Sequence, residues 1–197
     1  MSFNRIFISI LLLIFSFQNF TKADDLGDFE IEGISIGDSL LKFANRERII
    51  SSISKSKYDN DKYIIYEVDK LIDLEIYDFL GVTTKKNDEK FIVTSLSGNI
   101  IYDDLDECYK IRDEIKEYIE SIFVFDALDK TEYKSKTDKT GNSKIYGMQF
   151  YLKPYPSVEA IVLNCNDNSK ESGFHKVLTV NINPEEFAYF LINEAYQ

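Results

Sequence analysis

The chain has 197 residues, 44% of them hydrophobic, and a formal net charge of −11 at pH 7. So acidic a surface offers no cationic face to phosphate or to anionic lipid, which sets aside nucleic acid and electrostatic membrane attachment. With 8 glycines and 3 prolines it is not a linker or low-complexity chain, and its length suits one ordinary domain or two small ones.

The N-terminus reads as an export signal. Arg5 precedes the apolar run Ile6–Phe17, which is 12 residues long, where a membrane span needs about 20. Thr21 and Ala23 put small side chains ahead of Asp24, so cleavage is expected between Ala23 and Asp24. An uncleaved N-terminal anchor is the alternative. Removing a signal peptide over 1–23 takes away Arg5 and Lys22 and no acid. The remaining 21 Lys and Arg against 34 Asp and Glu give a net charge of −13. The mature chain would have no stable membrane anchor and would lie in a periplasm or outside the cell.

After an acidic opening comes ISIGDSLLKF, residues 34–43. Gly37 permits a sharp turn, Asp38 or Ser39 can cap a helix running to about Ile50, and Leu40, Leu41, Phe43 and Ala44 give it apolar faces. Residues 51–61 read as a polar loop, KYIIYEVD as a strand, and YDFLGVTTKK and EKFIVTSL as strands flanking a hairpin loop. SGN at 97–99 reads as a turn into a short IIYDD strand.

In DLDECYKIRDEIKEYIESIF the residues Leu105, Cys108, Ile111, Ile115, Ile119 and Ile122 fall on one helical face. Asp104, with Glu107 three residues on, starts that helix. Residues 129–143 are polar and aperiodic and read as a long loop between an N-terminal α+β half, 24–128, and a C-terminal half, 144–197. That second half holds three strands and a closing helix, with Asn183 as its N-cap, Pro184 first and Glu186 three after the cap. The order predicts an α+β fold of antiparallel β-meanders covered by helices, arranged as two strands-then-helix halves or as one shared sheet.

The chain's two cysteines are Cys108, on the helical face above, and Cys165, which alternates with Ile161 and Leu163 on one strand face. Both point at a core, and export permits a disulfide between them. Neither has a histidine or basic cluster nearby to lower its pKa, which argues against a catalytic thiol.

IEGISIGDSLLKF, and GNIIYDDLDECYKIRDEI with its early cysteine, resemble segments of small exported bacterial envelope proteins of unknown function. The resemblance implies an exported accessory domain and no particular reaction. Gly37–Leu40 also match the name-giving block of the GDSL-type serine esterases, which would make Ser39 a nucleophile. That family activates its serine through Asp-x-x-His. Here His175, the one histidine, has Ser172 in the aspartate position, and no Gly-x-Asn-Asp oxyanion block occurs. The match is read as coincidence, because a serine without its base is inert.

Asn166, Asp167, Asn168 and Glu171 offer oxygens without calcium-loop spacing, so no metal and no cofactor are expected. The Asp/Glu cluster at 103–107 suits a helix N-terminus without any ligand. The sequence therefore points to an exported, soluble, non-enzymatic binding or interaction protein of the cell envelope, its partner an envelope protein or a small ligand. A small serine hydrolase using Ser39 and His175, and a structural or assembly accessory, are the alternatives.

Overall fold

A computed structural model describes residues 26–135 and 138–196. One seven-stranded antiparallel sheet dominates it. The strands are β3 (Tyr63–Glu67), β4 (Phe79–Lys85), β5 (Val93–Ile101), β6 (Ala127–Lys134), β7 (Lys144–Tyr151), β8 (Ala160–Asp167) and β9 (Val177–Asn183). A two-stranded hairpin, β1 (Glu30–Ile31) and β2 (Ile34–Ser35), precedes it. The helices are α1 (Arg46–Ser51), α2 (Leu105–Ile122) and α3 (Glu185–Asn193). The fold is α+β, with the three helices packed on the sheet.

Two meanders meet along a single seam. β3-β4-β5 is the first and β6-β7-β8-β9 the second, and β5 pairs with β9 from Leu96↔Ile182 to Ile101↔Val177. The two halves expected from the sequence thus share one continuous sheet. Residues 129–134, expected as part of a polar loop, are the outer portion of edge strand β6, which pairs with β7 over its whole length. The strand is nearly all exposed and carries Asp129, Lys130, Glu132 and Lys134. A strand with water on both faces has no apolar alternation to betray it, and charges along an edge oppose further pairing.

The remaining hairpin end is organised by Asp138, which is 5% exposed. Its carboxylate accepts from the backbone N–H and hydroxyl of both Thr140 and Ser143 and from the Ser169 hydroxyl. The hydrogen bond from Ser143 contributes most to holding its pKa well below the usual carboxylate range, against the cost of desolvation.

One face of the sheet is the main core. Leu80, Val82, Leu96, Leu163, Val180 and Ile182 project from it. The N-terminal segment covers them with Leu26, Phe29, Ile31, Ile34 and Leu40, α1 with Ile49, and α2 and its end with Ile119 and Phe123. Gly37, at φ 89°, makes the turn that brings this segment onto the start of β5, where its N–H meets Val93 O at 2.9 Å.

The single helix expected from Gly37 to Ile50 is two pieces. Ser39 caps a 3₁₀ turn over Leu40–Lys42, and Asn45 caps α1 by accepting from Arg48 N at 3.0 Å. Asn45 competes for local backbone N–H groups and so restarts the helix. SGN makes no turn. β5 runs straight through it because Gly98 lies under the Tyr77 ring, where a Cβ would come within 2.5 Å of a ring carbon.

α2 begins as expected. Asp104 accepts from Glu107 N at 3.0 Å, and Glu107 reaches back to Asp103 N at 3.0 Å. The helix packs on β8 and β9, and Cys108 is bonded to Cys165, with Cα atoms 6.0 Å apart.

α3 starts one residue later than expected. Its cap is Pro184, because the Asn183 side chain accepts from the Ser95 hydroxyl instead. Glu186 does not close a capping box but binds Lys85 at 2.7 Å and Tyr63 at 3.2 Å. These bonds set α3 on the opposite sheet face, where Phe187 and Phe190 pack on Tyr58 and Tyr63.

Candidate functional site

The sheet face that carries α3 is open over part of its area. Alternation from the core positions fixes what it shows. β5 presents Ser95, Ser97, Asn99 and Ile101; β9 presents Val177, Thr179, Asn181 and Asn183; β8 presents Ala160, Val162, Asn164 and Asn166. None of these twelve is charged, in a chain whose residues are 29% charged.

Several are tied into a relay across the strands. Asn166 Nδ2 donates to Thr179 Oγ1 at 2.9 Å, and that hydroxyl donates to Asn99 Oδ1 at 3.0 Å. Asn166 also donates to Val177 O, Asn99 Nδ2 to Ser97 O, and Ser95 to Asn183. Their rotamers are therefore set before any ligand arrives.

Over this floor lie two contiguous alcoves of about 770 and 800 Å³. They share the walls Phe79, Phe174 and Tyr196, which are 44%, 60% and 68% exposed. The first alcove is also lined by Tyr58, Phe187 and Leu191, the second by Tyr133, Ile145 and His175. Burial pushes the Tyr58 and Tyr63 hydroxyls above their ordinary range, and the Glu186 charge adds to it at Tyr63. Both phenols stay neutral at physiological pH.

Among the described residues, no lysine or arginine lines either alcove. The carboxylates there are Glu67 and Asp69, at the β3 end of the first. Lys70 binds Glu67 and holds its pKa below the ordinary range, so Glu67 is an anion at neutral pH.

The structure separates Ser39 from His175. Ser39 donates to Lys90 O at 2.5 Å, accepts from Leu41 N at 3.2 Å, and bridges to Ile92 at the start of β5. His175 stands two residues before Val177, which pairs with Ile101 at the far end of β5. Nine residue steps along a strand put them about 30 Å apart.

His175 lines the groove, and its carbonyl accepts from Asn168 at 2.6 Å. Asp167 pairs with Lys176 at 2.8 Å, and Asn166 belongs to the relay, so these loop oxygens do not converge on one point. The disulfide lies on the covered face, away from the groove. Ala23 and Asp24, the expected cleavage position, lie outside the described residues.

No single strand spells out the groove, because each contributes only two or three polar groups. The available signal was their type. SLSGN, TVNIN and LNCN alternate apolar residues with serine, threonine and asparagine where a solvated face would carry lysine and glutamate.

Comparison with protein-family models, with curated proteins and with solved structures returns no match. The geometry of the groove is what bears on function.

Proposed function

We propose that this chain is an exported binding protein of the cell envelope that holds its ligand in the groove over the outward sheet face. The carrying observation is the floor: eight uncharged outward side chains of β5, β8 and β9 (Ser95, Ser97, Asn99, Asn166, Val177, Thr179, Asn181 and Asn183) line the two alcoves, several with preset amides and hydroxyls, under a rim of exposed aromatic rings. Exposed apolar rings around a concave surface that mixes amides and hydroxyls with apolar side chains favour a binding role over a merely solvated face. Each alcove falls within the roughly 300–1,000 Å³ usual for ligand sites.

Export is supported by the apolar segment near Arg5 and by the Cys108–Cys165 bond, which is consistent with an oxidising compartment. Among the described residues no helix is long and apolar enough to cross a membrane. Binding is preferred to hydrolysis because β5 holds Ser39 and His175 apart, and because Glu67 is ion-paired and so a poor proton donor.

The test is a thermal-shift screen of small polar molecules and oligosaccharides from envelope extracts, run on the wild type and on Ser97→Trp, which fills the floor. The expected result is a compound that raises the wild-type Tm and leaves the variant's unchanged. If nothing stabilises the wild type, or both proteins respond alike, the reading fails.

A further inference from the structure

Resting on that reading, we infer that the groove takes a neutral oligosaccharide. The charge of the site comes first. Among the described residues its lining holds no lysine or arginine, and its carboxylates lie at one end. A phosphorylated, sulfated or carboxylated ligand would have to shed its hydration with no counter-charge to receive it.

The polar chemistry comes second. Asparagine, serine and threonine each donate and accept, as sugar hydroxyls do. The Asn166–Thr179–Asn99 relay fixes the orientation of three such groups. Beside them Ser97 and Asn181 present partly exposed side chains that bond to no protein group among the described residues.

The rings come third. A pyranose has an apolar C–H face and a hydroxyl rim. Phe79, Phe174 and Tyr196 at the mouth match the first, and the amide floor matches the second. Their placement at the junction of two alcoves makes room for several sugar units instead of one. A peptide fits less well. The floor is a sheet face whose backbone groups are paired within the ladder, so an extended chain finds no strand edge to join there.

The experiment is calorimetric titration of the oxidised protein with maltohexaose, cellohexaose and chitohexaose, and with the uncharged peptide Gly-Ser-Asn-Gly-Ser-Asn. At least one hexasaccharide should bind with Kd below about 1 mM. Its affinity should be nearly unchanged between about 50 and about 500 mM NaCl, since no ion pair forms. Phe174→Ala and Tyr196→Ala should each weaken it about tenfold with unchanged circular dichroism, and Ser97→Trp should abolish it.

If no hexasaccharide binds while a compound of another class, the peptide included, shows binding that Ser97→Trp removes, the sugar assignment is overturned and the groove reading stands. If no ligand of any class depends on Ser97, both fall. Sugar binding that survives Ser97→Trp also overturns the assignment.

Discussion

Asn99 and Thr179 are register partners across the seam of the two meanders, and the Thr179 hydroxyl donates to the Asn99 amide oxygen at 3.0 Å. One pair thus joins the halves of the sheet and forms the centre of the groove floor. Anything that disturbs the seam should disturb the site, and the reverse holds less strongly, because the backbone ladder persists without the side chains.

The covalent link behind that seam should be worth about 4 kcal/mol. Cys108 and Cys165 are 57 positions apart, and the chain-entropy model gives that figure for such a loop. Cys108→Ala/Cys165→Ala should lower the urea midpoint accordingly, and adding reductant should change the wild type but not the variant. A wild type equally stable with and without reductant would contradict this.

Asp138 should make stability depend on acid. Its carboxyl is held well below the ordinary range in the folded protein and returns to about 3.8 on unfolding. The folded form therefore binds the proton less readily. The contribution is fully present above the unfolded pKa and is lost as pH falls toward the lower, folded one. Asp138→Asn should cost most near pH 7, and its urea midpoint should converge on the wild type's as pH drops below about 4. A difference between the two proteins that stays constant from pH 7 to pH 2 would count against the buried carboxylate.

Gly98→Ala should be destabilising, by about 1–3 kcal/mol, since the added methyl meets the Tyr77 ring. Tyr77 is itself packed into the core edge, and its hydroxyl pKa is pushed up to about 12, mainly by burial. Gly98→Ala should cost less in a Tyr77→Leu background than alone. Additive effects in that double-mutant cycle would mean the two residues do not touch.

Ser39 should behave as a cap. Ser39→Ala should cost about 1 kcal/mol and leave ligand binding in the groove untouched. The wild type treated with a fluorophosphonate should keep its mass. An adduct on Ser39 would restore the hydrolase alternative.

Elements that bury one face were legible in the sequence, and those that do not were obscured. The α2 stripe and the inward alternation of Ile161, Leu163 and Cys165 follow from burial, which is what periodicity records, while the Asp104 cap follows from local side-chain to backbone hydrogen bonding. β6 is obscured because nearly all of it meets water, and the helix expected from Gly37 to about Ile50 is too long because Asn45 fits a helical pattern on composition alone while its side chain starts a new helix. Gly98 looked like a turn because a glycine demanded by a neighbouring ring has the same letter as one demanded by a bend. The groove was hidden for a different reason. It exists only once β5, β8 and β9 are side by side, and β5 lies far from the other two in sequence.

The disulfide also bears on how fast the site can assemble. Ile101 and Val177, which open the seam, are 76 positions apart along the chain. Through the bond the path is 7 positions from Ile101 to Cys108 and 12 from Cys165 to Val177, a fourfold shortening. Two halvings of loop length relieve about 1.2 kcal/mol of closure entropy. If oxidation comes before the seam zips, pairing that would otherwise be long-range becomes nearly local, and the folding rate should rise by several-fold. Oxidation would then set the time at which the chain becomes able to bind.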